Sequence, residues 1–448
     1  MAAGLTRPLR TWVWLAAVGL AGAAAAAEVQ VDFEADLSTE MAQGRFDPAR
    51  DTVGLRGACP PLSWQRSLPL VAATPGRYSV RVAMDTQACG GQPLQHKFRI
   101  HRPGQGPDQG WEPGRNHAAL LDVAGPATGV RVARVFGAPA VPPPSRVTGT
   151  VLTLPAVATA HVLPRPVWVW LPPGYEEDTQ RRYPVLYLHD GQNMFDARDS
   201  GAEWQVDETA HRLVQAAAVL PFIVVAVPSG LDRMHELTPN ASLLRPQRSG
   251  QAQAARVGGG LAAYASYLVQ DLKPAVDARW RTLPGPQATA VGGSSLGGLA
   301  SLWLALHRPG TFGAALVVSP SLWWDEHFAL RDLQALPLAV GQALPRLWLD
   351  MGGQEGEGAL AAARQLRDAL LQRGWALHGA APTLAYTEAP DGRHDEASWA
   401  LRVEGMLRFL YGAAPPLPMP LGASGTPRQQ HKMQLPAAGS NQGMTWPR

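Results

Sequence analysis

The sequence has few lysines, few cysteines and, after residue 27, no long hydrophobic run. Only Lys97, Lys273 and Lys432 are lysines, and no cluster of Lys or Arg lies on any expected helix or strand. The formal charge is +3, but Arg7 and Arg10 belong to an N-terminal segment typical of a signal peptide. The rest of the chain is close to neutral, so the computed pI of 9.0 does not indicate nucleic-acid binding. Without about 18 uninterrupted apolar residues beyond residue 27, we expect no membrane span there.

The first 27 residues are typical of an export signal. Arg7 and Arg10 precede an apolar stretch from Trp12 to Ala21, and small residues at 25–27 suit cleavage before Glu28. An uncleaved membrane anchor is the alternative. The sequence therefore predicts a periplasmic or secreted protein.

The two cysteines, Cys59 and Cys89, lie in the N-terminal third of the chain. Because an exported chain meets an oxidising compartment, we expect a disulfide between them, with two buried thiols as the alternative. Neither cysteine has the histidine or cysteine neighbours that a zinc site needs.

The pattern of the chain changes near residue 140. Residues 28–137 contain short alternating runs separated by Gly and Pro turns, which predicts a small β-sandwich. A Pro-rich linker follows at 138–145. Residues 146–412 alternate apolar strands, such as 223–227, with amphipathic helices, such as 262–278 and 396–410, which predicts a mostly parallel sheet covered on both faces. Residues 413–448 are rich in Pro, Gly, Gln and Ser, and we expect them to be disordered. With 46% hydrophobic and 17% charged residues, the chain can form both cores.

The segment Gly293-Ser294-Ser295-Leu296-Gly297 matches the pattern G-x-S-x-G. The residues before it favour a strand, and 296–307 favour a helix ended by Arg308-Pro309-Gly310. A serine in such a strand-to-helix turn exposes its Oγ, and the flanking glycines leave room for the turn. Ser295 is therefore the predicted nucleophile.

A serine nucleophile needs a base and an acid, which follow it in α/β-hydrolases in the order acid, then histidine. An apolar strand ending at Asp350 runs into a glycine turn with Glu355 and Glu357. Glu355 is the preferred acid, because it lies past the turn, and Glu357 and Asp350 are the rivals. His394, in a loop before the last expected helix, is the predicted base.

The oxyanion hole is predicted to use the backbone N–H of Leu296 and a second N–H from Gln192 or Gly191, which follow an earlier strand. His189 and Asp190 could instead be metal ligands, but no partner lies at ligand spacing. We therefore expect no metal and no organic cofactor.

Several separate motifs in residues 146–412 resemble the putative-esterase family of α/β-hydrolases, which includes enterochelin esterases, feruloyl esterases, S-formylglutathione hydrolase-like enzymes and mycolyltransferase-like proteins. The matching segments are 186–195, 203–208, 236–239, 291–298, 319–325 and 392–399. The resemblance implies an α/β-hydrolase fold, Ser295 as nucleophile, His394 as base and an acid that Glu355 matches in place. Some siderophore-esterase relatives are thought to use a Ser-His dyad.

Aromatic and cationic side chains near these motifs are candidates for substrate contact. Trp204, Arg233, Trp323 and Trp324 could line an acyl or aromatic pocket, and core packing is the alternative for each tryptophan. Residues 28–137 resemble a starch-binding-type carbohydrate module at 31–33, 46–51, 61–64, 97–98 and 111–116. That resemblance implies a sugar-stacking platform of Trp64 and Trp111, while the alternative is a structural sandwich at the esterase entrance.

The leading hypothesis is an exported serine carboxylic-ester hydrolase that acts through an acyl-enzyme. Its substrate would be a bulky or carbohydrate-linked ester, such as a feruloylated or acetylated sugar or a siderophore-type ester, with polysaccharide as a partner of the N-terminal domain. The alternatives are acyl transfer to a sugar hydroxyl and a carbohydrate-binding surface protein without activity.

Overall fold

The computed structural model describes residues 28–412 except 86–91, 107–108, 122–129, 141, 143, 245–254, 339–342 and 380–381. The expected signal peptide at 1–27, the expected disordered tail at 413–448 and Cys89 therefore lie outside the described residues. Within these ranges, no helix combines the length and apolar character that a membrane span requires.

Strands and helices separate into a β-rich first part and an alternating second part. The strands are β1 (Glu28–Asp36), β2 (Thr52–Gly57), β3 (Leu68–Pro69), β4 (Val71–Thr74), β5 (Arg77–Asp85), β6 (Leu94–His101), β7 (His117–Ala119), β8 (Val130–Val135), β9 (Thr150–Leu154), β10 (Val167–Leu171), β11 (Val185–His189), β12 (Ile223–Val227), β13 (Ala241–Leu244), β14 (Ala255–Gly258), β15 (Thr289–Ser294), β16 (Ala314–Val318), β17 (Arg346–Gly352) and β18 (Leu384–Ala389). The helices are α1 (Ser38–Ala42), α2 (Ala197–Ser200), α3 (Val206–Gln215), α4 (Arg233–Glu236), α5 (Leu261–Ser266), α6 (Lys273–Arg279), α7 (Leu296–His307), α8 (Phe328–Ala335), α9 (Glu357–Gln372), α10 (Glu396–Ala400) and α11 (Val403–Tyr411).

The N-terminal part is a sandwich of two four-stranded sheets, ordered β4-β5-β1-β8 and β3-β2-β6-β7. Alternation along β1 explains the packing: Val31 and Phe33 are fully buried in the core between the sheets. Asp32, between them in sequence, points to the other face and pairs with Arg81 at 2.7 Å. The predicted β-rich fold of this region is confirmed.

The second part is built on an eight-stranded sheet ordered β18-β17-β16-β15-β11-β12-β10-β9. Strands β11, β12 and β15 to β18 are parallel, and β10 runs antiparallel to β12. Side chains alternate between two cores: Tyr187 packs in one and Leu188 in the other. Helices α5 to α9 cover the first face, and α3 and α11 cover the second. Burial on both faces explains the continuous apolar strands, and the predicted α/β-hydrolase class is confirmed.

Two glutamines of the sandwich bind the loop before α3. Gln92 Nε2 donates to the carbonyl oxygen of Glu203 at 2.7 Å, and Gln92 Oε1 accepts from the Glu203 N–H at 2.8 Å. Gln95 Nε2 donates to the carbonyl oxygen of Gly201 at 2.8 Å. The sandwich therefore contacts the α/β part close to the carboxyl ends of the sheet strands. The exact domain boundaries remain a prediction.

Candidate active site

Ser295 lies alone in the turn between β15 and α7, with φ +58° and ψ −119°. Such a backbone conformation is costly for a residue with a Cβ, and it is typical of strained functional positions. A Cβ on Gly293 would lie 3.1 Å from the backbone of Gly297, and a Cβ on Gly297 would lie 3.4 Å from His189. The glycines of the motif therefore allow the close packing that the turn requires.

The backbone of Ser295 is fixed by the neighbouring strand end. Its N–H donates to the carbonyl oxygen of Val318 at 3.0 Å, and its carbonyl oxygen accepts from the Ser321 N–H at 3.0 Å. Ser295 Oγ shares a 3.1 Å hydrogen bond with Ser321 Oγ. Among the described residues, no hydrogen bond joins Ser295 Oγ to His394. Catalytic hydrogen bonds are often long without substrate, so this geometry leaves His394 a candidate base.

His394 and Glu355 form a short charge-assisted pair. Nδ1 of His394 lies 2.6 Å from Oε2 of Glu355, which follows β17, whereas His394 follows β18. Glu355 Oε1 accepts from Ser319 Oγ at 2.6 Å and from the Gly352 N–H at 2.9 Å. Burial raises the pKa of Glu355, but hydrogen bonds from His394 and Ser319 outweigh it and hold that pKa below its usual value. An ionised Glu355 would keep the proton on Nδ1 and leave Nε2 free to act as a base.

The two rival candidates for the catalytic acid, Asp350 and Glu357, do not share the surroundings of Glu355. Asp350 is fully buried and accepts from Arg402 Nη1 at 2.8 Å and Trp348 Nε1 at 2.7 Å. Glu357 is exposed in the first turn of α9. The geometry therefore favours Glu355 over both.

Behind Glu355 lies a network whose roles the sequence did not indicate. Ser319 Oγ donates to Glu355 and accepts from Trp399 Nε1 and Arg402 Nη2, both at 3.1 Å. Arg402 also pairs with Asp350 at 2.8 Å in the buried interior. These contacts fix the rotamer of Ser319 and, through it, the carboxylate of Glu355.

We expect Arg402→Met to lower the free energy of unfolding by about 3–5 kcal/mol, because it leaves the charge of Asp350 buried without its cation. Chemical denaturation monitored by circular dichroism measures the loss. Adding Asp350→Asn should recover a large part of it, since an amide still accepts from Trp348 and carries no charge. Equal instability of the single and double variants would contradict this explanation.

The predicted oxyanion loop follows β11. Asp190 is in the left-handed region, with φ +54° and ψ +44°, and a 3₁₀ turn spans Gly191–Asn193. Among the described residues, the N–H groups of Gly191, Gln192 and Leu296 have no hydrogen-bond acceptor. These N–H groups are therefore available to an oxyanion.

The side chains of this loop are held in place. Gln192 exchanges two hydrogen bonds with Ser229, at 3.2 and 3.0 Å. Asp190 forms a bidentate pair with Arg233, with both contacts at 2.6 Å, and also accepts from Ser229 Oγ. A Cβ on Gly297 would lie 3.5 Å from Asp190 Oδ2, so this pair adjoins the turn of the nucleophile.

The predicted substrate-pocket residues divide into buried and exposed ones. Trp204 and Trp324 are 2% and 0% exposed and pack in the cores, so the expectation that they line an open pocket is wrong. Trp323 is 56% exposed and follows Ser321 by two residues. Arg233 is partly exposed but already paired with Asp190. Trp323 is therefore the best candidate among the tryptophans for substrate contact.

The predicted sugar platform of Trp64 and Trp111 is not confirmed. Their ring centroids lie 6.4 Å apart with the planes inclined by 48°. The guanidinium groups of Arg56 and Arg99 lie 5.0 and 5.5 Å from the Trp111 ring centroid. A sugar-stacking platform needs flat, open indole faces, and here the two rings are not coplanar and two guanidinium groups lie over the Trp111 ring. Trp64 instead lines a cleft of about 500 Å³ together with His394.

A family model described as Putative esterase matches residues 163–410. The chain belongs to this esterase family. Membership confirms the resemblance predicted from the sequence and the enzyme class, a carboxylic-ester hydrolase. The match includes Ser295, Glu355 and His394, whose catalytic roles stay predictions.

The sequence matches between this esterase and its curated relatives extend over only part of each relative. The chain is 27% identical to the uncharacterised protein YbbA of Bacillus subtilis over 188 residues, which are 42% of this chain and 68% of YbbA. It is 26% identical to the ferri-bacillibactin esterase BesA of Bacillus subtilis over 156 residues, 33% of this chain and 51% of BesA. The siderophore triacetylfusarinine C esterase of Aspergillus fumigatus is 27% identical, over 34% of this chain and 49% of that protein. The chain thus spans about half the length of the two siderophore esterases.

The fold of this esterase is similar to that of a solved siderophore esterase. The enterobactin esterase FES from Shigella flexneri superposes with a TM-score of 0.51 and 19% identity, covering 81% of this chain and 88% of that chain. This coverage is larger than the α/β part alone, so the shared fold includes some of the N-terminal sandwich.

Proposed function

We propose that the protein is an exported serine esterase that hydrolyses a bulky siderophore-type ester through an acyl-enzyme. The observation that carries the proposal is the 2.6 Å pair between His394 Nδ1 and the buried Glu355, on the same edge of the sheet as the strained Ser295 turn. A base held in this way, at the same sheet edge as a partly exposed serine in a strand-to-helix turn, is the arrangement that acyl transfer needs.

The reaction would begin with rotation of the Ser295 hydroxyl from Ser321 towards His394. Ser295 Oγ attacks the ester carbonyl carbon while His394 Nε2 takes its proton, and the N–H groups of Leu296 and Gln192 bind the oxyanion. Collapse of the tetrahedral intermediate breaks the C–O bond, and His394 returns the proton to the leaving alkoxide. Water then attacks the acyl-enzyme with His394 as base, releasing the acid and restoring Ser295.

The openness of the site supports a bulky substrate. The side chain of His394 is 46% exposed, and a cleft of about 500 Å³ runs from it to Trp64. Trp323, beside the nucleophile turn, offers an exposed aromatic surface. The siderophore esterases among the relatives make a multi-ester siderophore the first substrate class to test.

The decisive assay compares ferric and iron-free catecholate trilactone, feruloyl-arabinose and p-nitrophenyl acetate, with products identified by mass spectrometry. We expect the trilactone to have the highest kcat/KM. A preference for feruloyl-arabinose by tenfold or more would overturn the siderophore proposal and retain the esterase. Absence of turnover and of Ser295 labelling by a fluorophosphonate probe would overturn both.

We expect Trp323→Ala to raise KM for aromatic esters by roughly 3- to 10-fold, because an exposed indole that packs on an aromatic acyl group contributes about 1 kcal/mol. The KM for p-nitrophenyl acetate should change less than twofold, since the acetyl group is too small to reach the indole ring. Leu231 is another exposed apolar residue, so the variant Leu231→Ala is the control. Steady-state kinetics with both substrates are measured for each variant. Equal changes for both esters would contradict a role in acyl recognition.

Export is part of the proposal. The segment 1–27 has the composition of a signal peptide, and Cys59 is disulfide-bonded, which suits an oxidising compartment. Fractionation of the producing cells followed by N-terminal sequencing should find the mature chain outside the cytoplasm and beginning near Glu28.

A further inference from the structure

Three carboxylates that play no part in the proposed ester hydrolysis converge where the chain enters α3. Glu203, Asp207 and Glu208 each place one carboxylate oxygen so that the three atoms lie within 4.8 Å of one another. Glu203 is 1% exposed and Asp207 is 0% exposed, so this is not an ordinary acidic patch in water. Bringing such groups together in the interior is costly unless a positive charge or protons compensate.

The oxygens of the cluster have unused hydrogen-bonding capacity. Glu203 Oε2, Asp207 Oδ1 and Glu208 Oε2 are buried and have no hydrogen-bond partner among the described residues. The other oxygen of Asp207 accepts from the Thr148 N–H at 2.6 Å. Two of the three side chains, Glu203 and Asp207, are therefore more than nine-tenths buried and each carries an unpartnered oxygen.

The surroundings of the cluster raise the pKa values of two of its acids. Burial, with Glu208 and Asp196 nearby, raises the pKa of Glu203 to about 8, and Arg146 opposes this only in part. Burial and the adjacent Glu208 raise the pKa of Asp207 to about 9. Glu203 and Asp207 would therefore retain their protons at neutral pH unless a cation binds beside them.

We propose that Glu203, Asp207 and Glu208 bind one divalent cation, with Ca²⁺ as the preferred ion. Carboxylate oxygens are the ligands that hard cations prefer, and Ca²⁺ binds them at about 2.3–2.6 Å. Oxygens up to 4.8 Å apart can contact one Ca²⁺ from opposite sides, whereas Mg²⁺, with ligands at about 2.0–2.1 Å, needs a tighter set.

The place of the cluster in the fold gives the ion a structural role. The Trp204 N–H donates to the carbonyl oxygen of Asn193 at 2.8 Å, and the Val206 N–H donates to that of Met194 at 3.1 Å. The segment that carries the carboxylates is thus bonded to the end of the predicted oxyanion loop. Gln92 of the sandwich bonds the backbone of Glu203 from the other side. A bound ion would hold these three segments together without contacting substrate.

The test is thermal unfolding of the full chain after EDTA treatment and removal of the chelator, with CaCl₂, MgCl₂ or no metal. We expect 1 mM Ca²⁺ to raise Tm by about 3 °C or more, with a smaller rise for Mg²⁺. Isothermal titration calorimetry should give one Ca²⁺ per chain. Wild-type protein that binds no Ca²⁺ and shows no rise in Tm would overturn the proposal, and the cluster would then be a proton-sharing group.

Variants separate ion binding from nonspecific effects of calcium. Asp207→Asn and Glu203→Gln should abolish the Ca²⁺-dependent rise in Tm and yet melt, without metal, at or above the temperature of the metal-free wild type, because each removes a buried acid. Glu357→Gln is the matched control, since Glu357 is an exposed acidic residue in the first turn of a helix and should retain the full response. An unchanged Ca²⁺ response in both cluster variants would overturn the assignment of the ligands.

Discussion

Ser295→Ala is expected to lower kcat for p-nitrophenyl ester hydrolysis by about 10⁵-fold, because it removes the hydroxyl that forms the acyl-enzyme. The overall fold should be unchanged, since alanine retains the Cβ around which the turn is packed. Stopped-time assays at high enzyme concentration, with circular dichroism and a melting curve of the same preparation, measure both effects. Fluorophosphonate labelling should disappear in parallel.

Two further variants make this result interpretable. Ser321→Ala removes the hydroxyl that bonds Ser295 Oγ and should leave kcat within about tenfold of wild type, as expected for loss of one neutral hydrogen bond. Ser295→Gly should be as inactive as Ser295→Ala but more stable by about 1–2 kcal/mol, because glycine adopts φ +58° without strain. More than 1% residual activity in Ser295→Ala would assign the nucleophile to another residue.

Local pattern and chain order were sufficient to predict several of the elements that carry the candidate site. The helix expected at 296–307 is α7 residue for residue, and the strand expected at 223–227 is β12. Because the strands are parallel, residues that follow β15, β17 and β18 must meet at one edge of the sheet. This rule predicts from the sequence that Ser295, Glu355 and His394 lie in one region.

Contacts between distant segments could not be predicted in this way. Ser319, Asp350 and Arg402 come from three separate elements, and only the fold shows that they form one buried network. The sequence also did not reveal that Trp204 is 2% exposed or that Arg56 and Arg99 approach Trp111. Sequence spacing specifies which residues are near a strand end, but burial depends on what the rest of the chain packs against them.

The prediction of secondary structure from the sequence failed where contacts with other parts of the fold override local preference. The single helix expected at 396–410 is two helices, α10 and α11, with a break around Arg402, whose guanidinium reaches the buried Asp350. The expected helix at 262–278 is continuous but contains a π-helical stretch at Tyr267–Leu272. The hairpin of β13 and β14 was missed, since these short strands form a two-stranded sheet apart from the main one in the described part of the chain and carry no long apolar run.

His394→Ala is expected to lower kcat by about 10⁵-fold and Glu355→Gln by about 10³-fold, because loss of the base removes proton transfer entirely, whereas loss of the carboxylate only misorients the imidazole. Glu355→Gln keeps the shape of the side chain, so Ser319 and Gly352 can still donate to it, but it no longer fixes the proton of His394 on Nδ1. Kinetics of both variants with p-nitrophenyl butyrate give the ratio. Glu357→Gln, two residues away and exposed, is the matched control and should retain wild-type kcat. A greater loss of kcat in Glu357→Gln than in Glu355→Gln would assign the catalytic acid to Glu357. Wild-type kcat in both variants would indicate a Ser-His dyad. In that case the 2.6 Å contact between His394 and Glu355 would stabilise the loop without contributing to turnover.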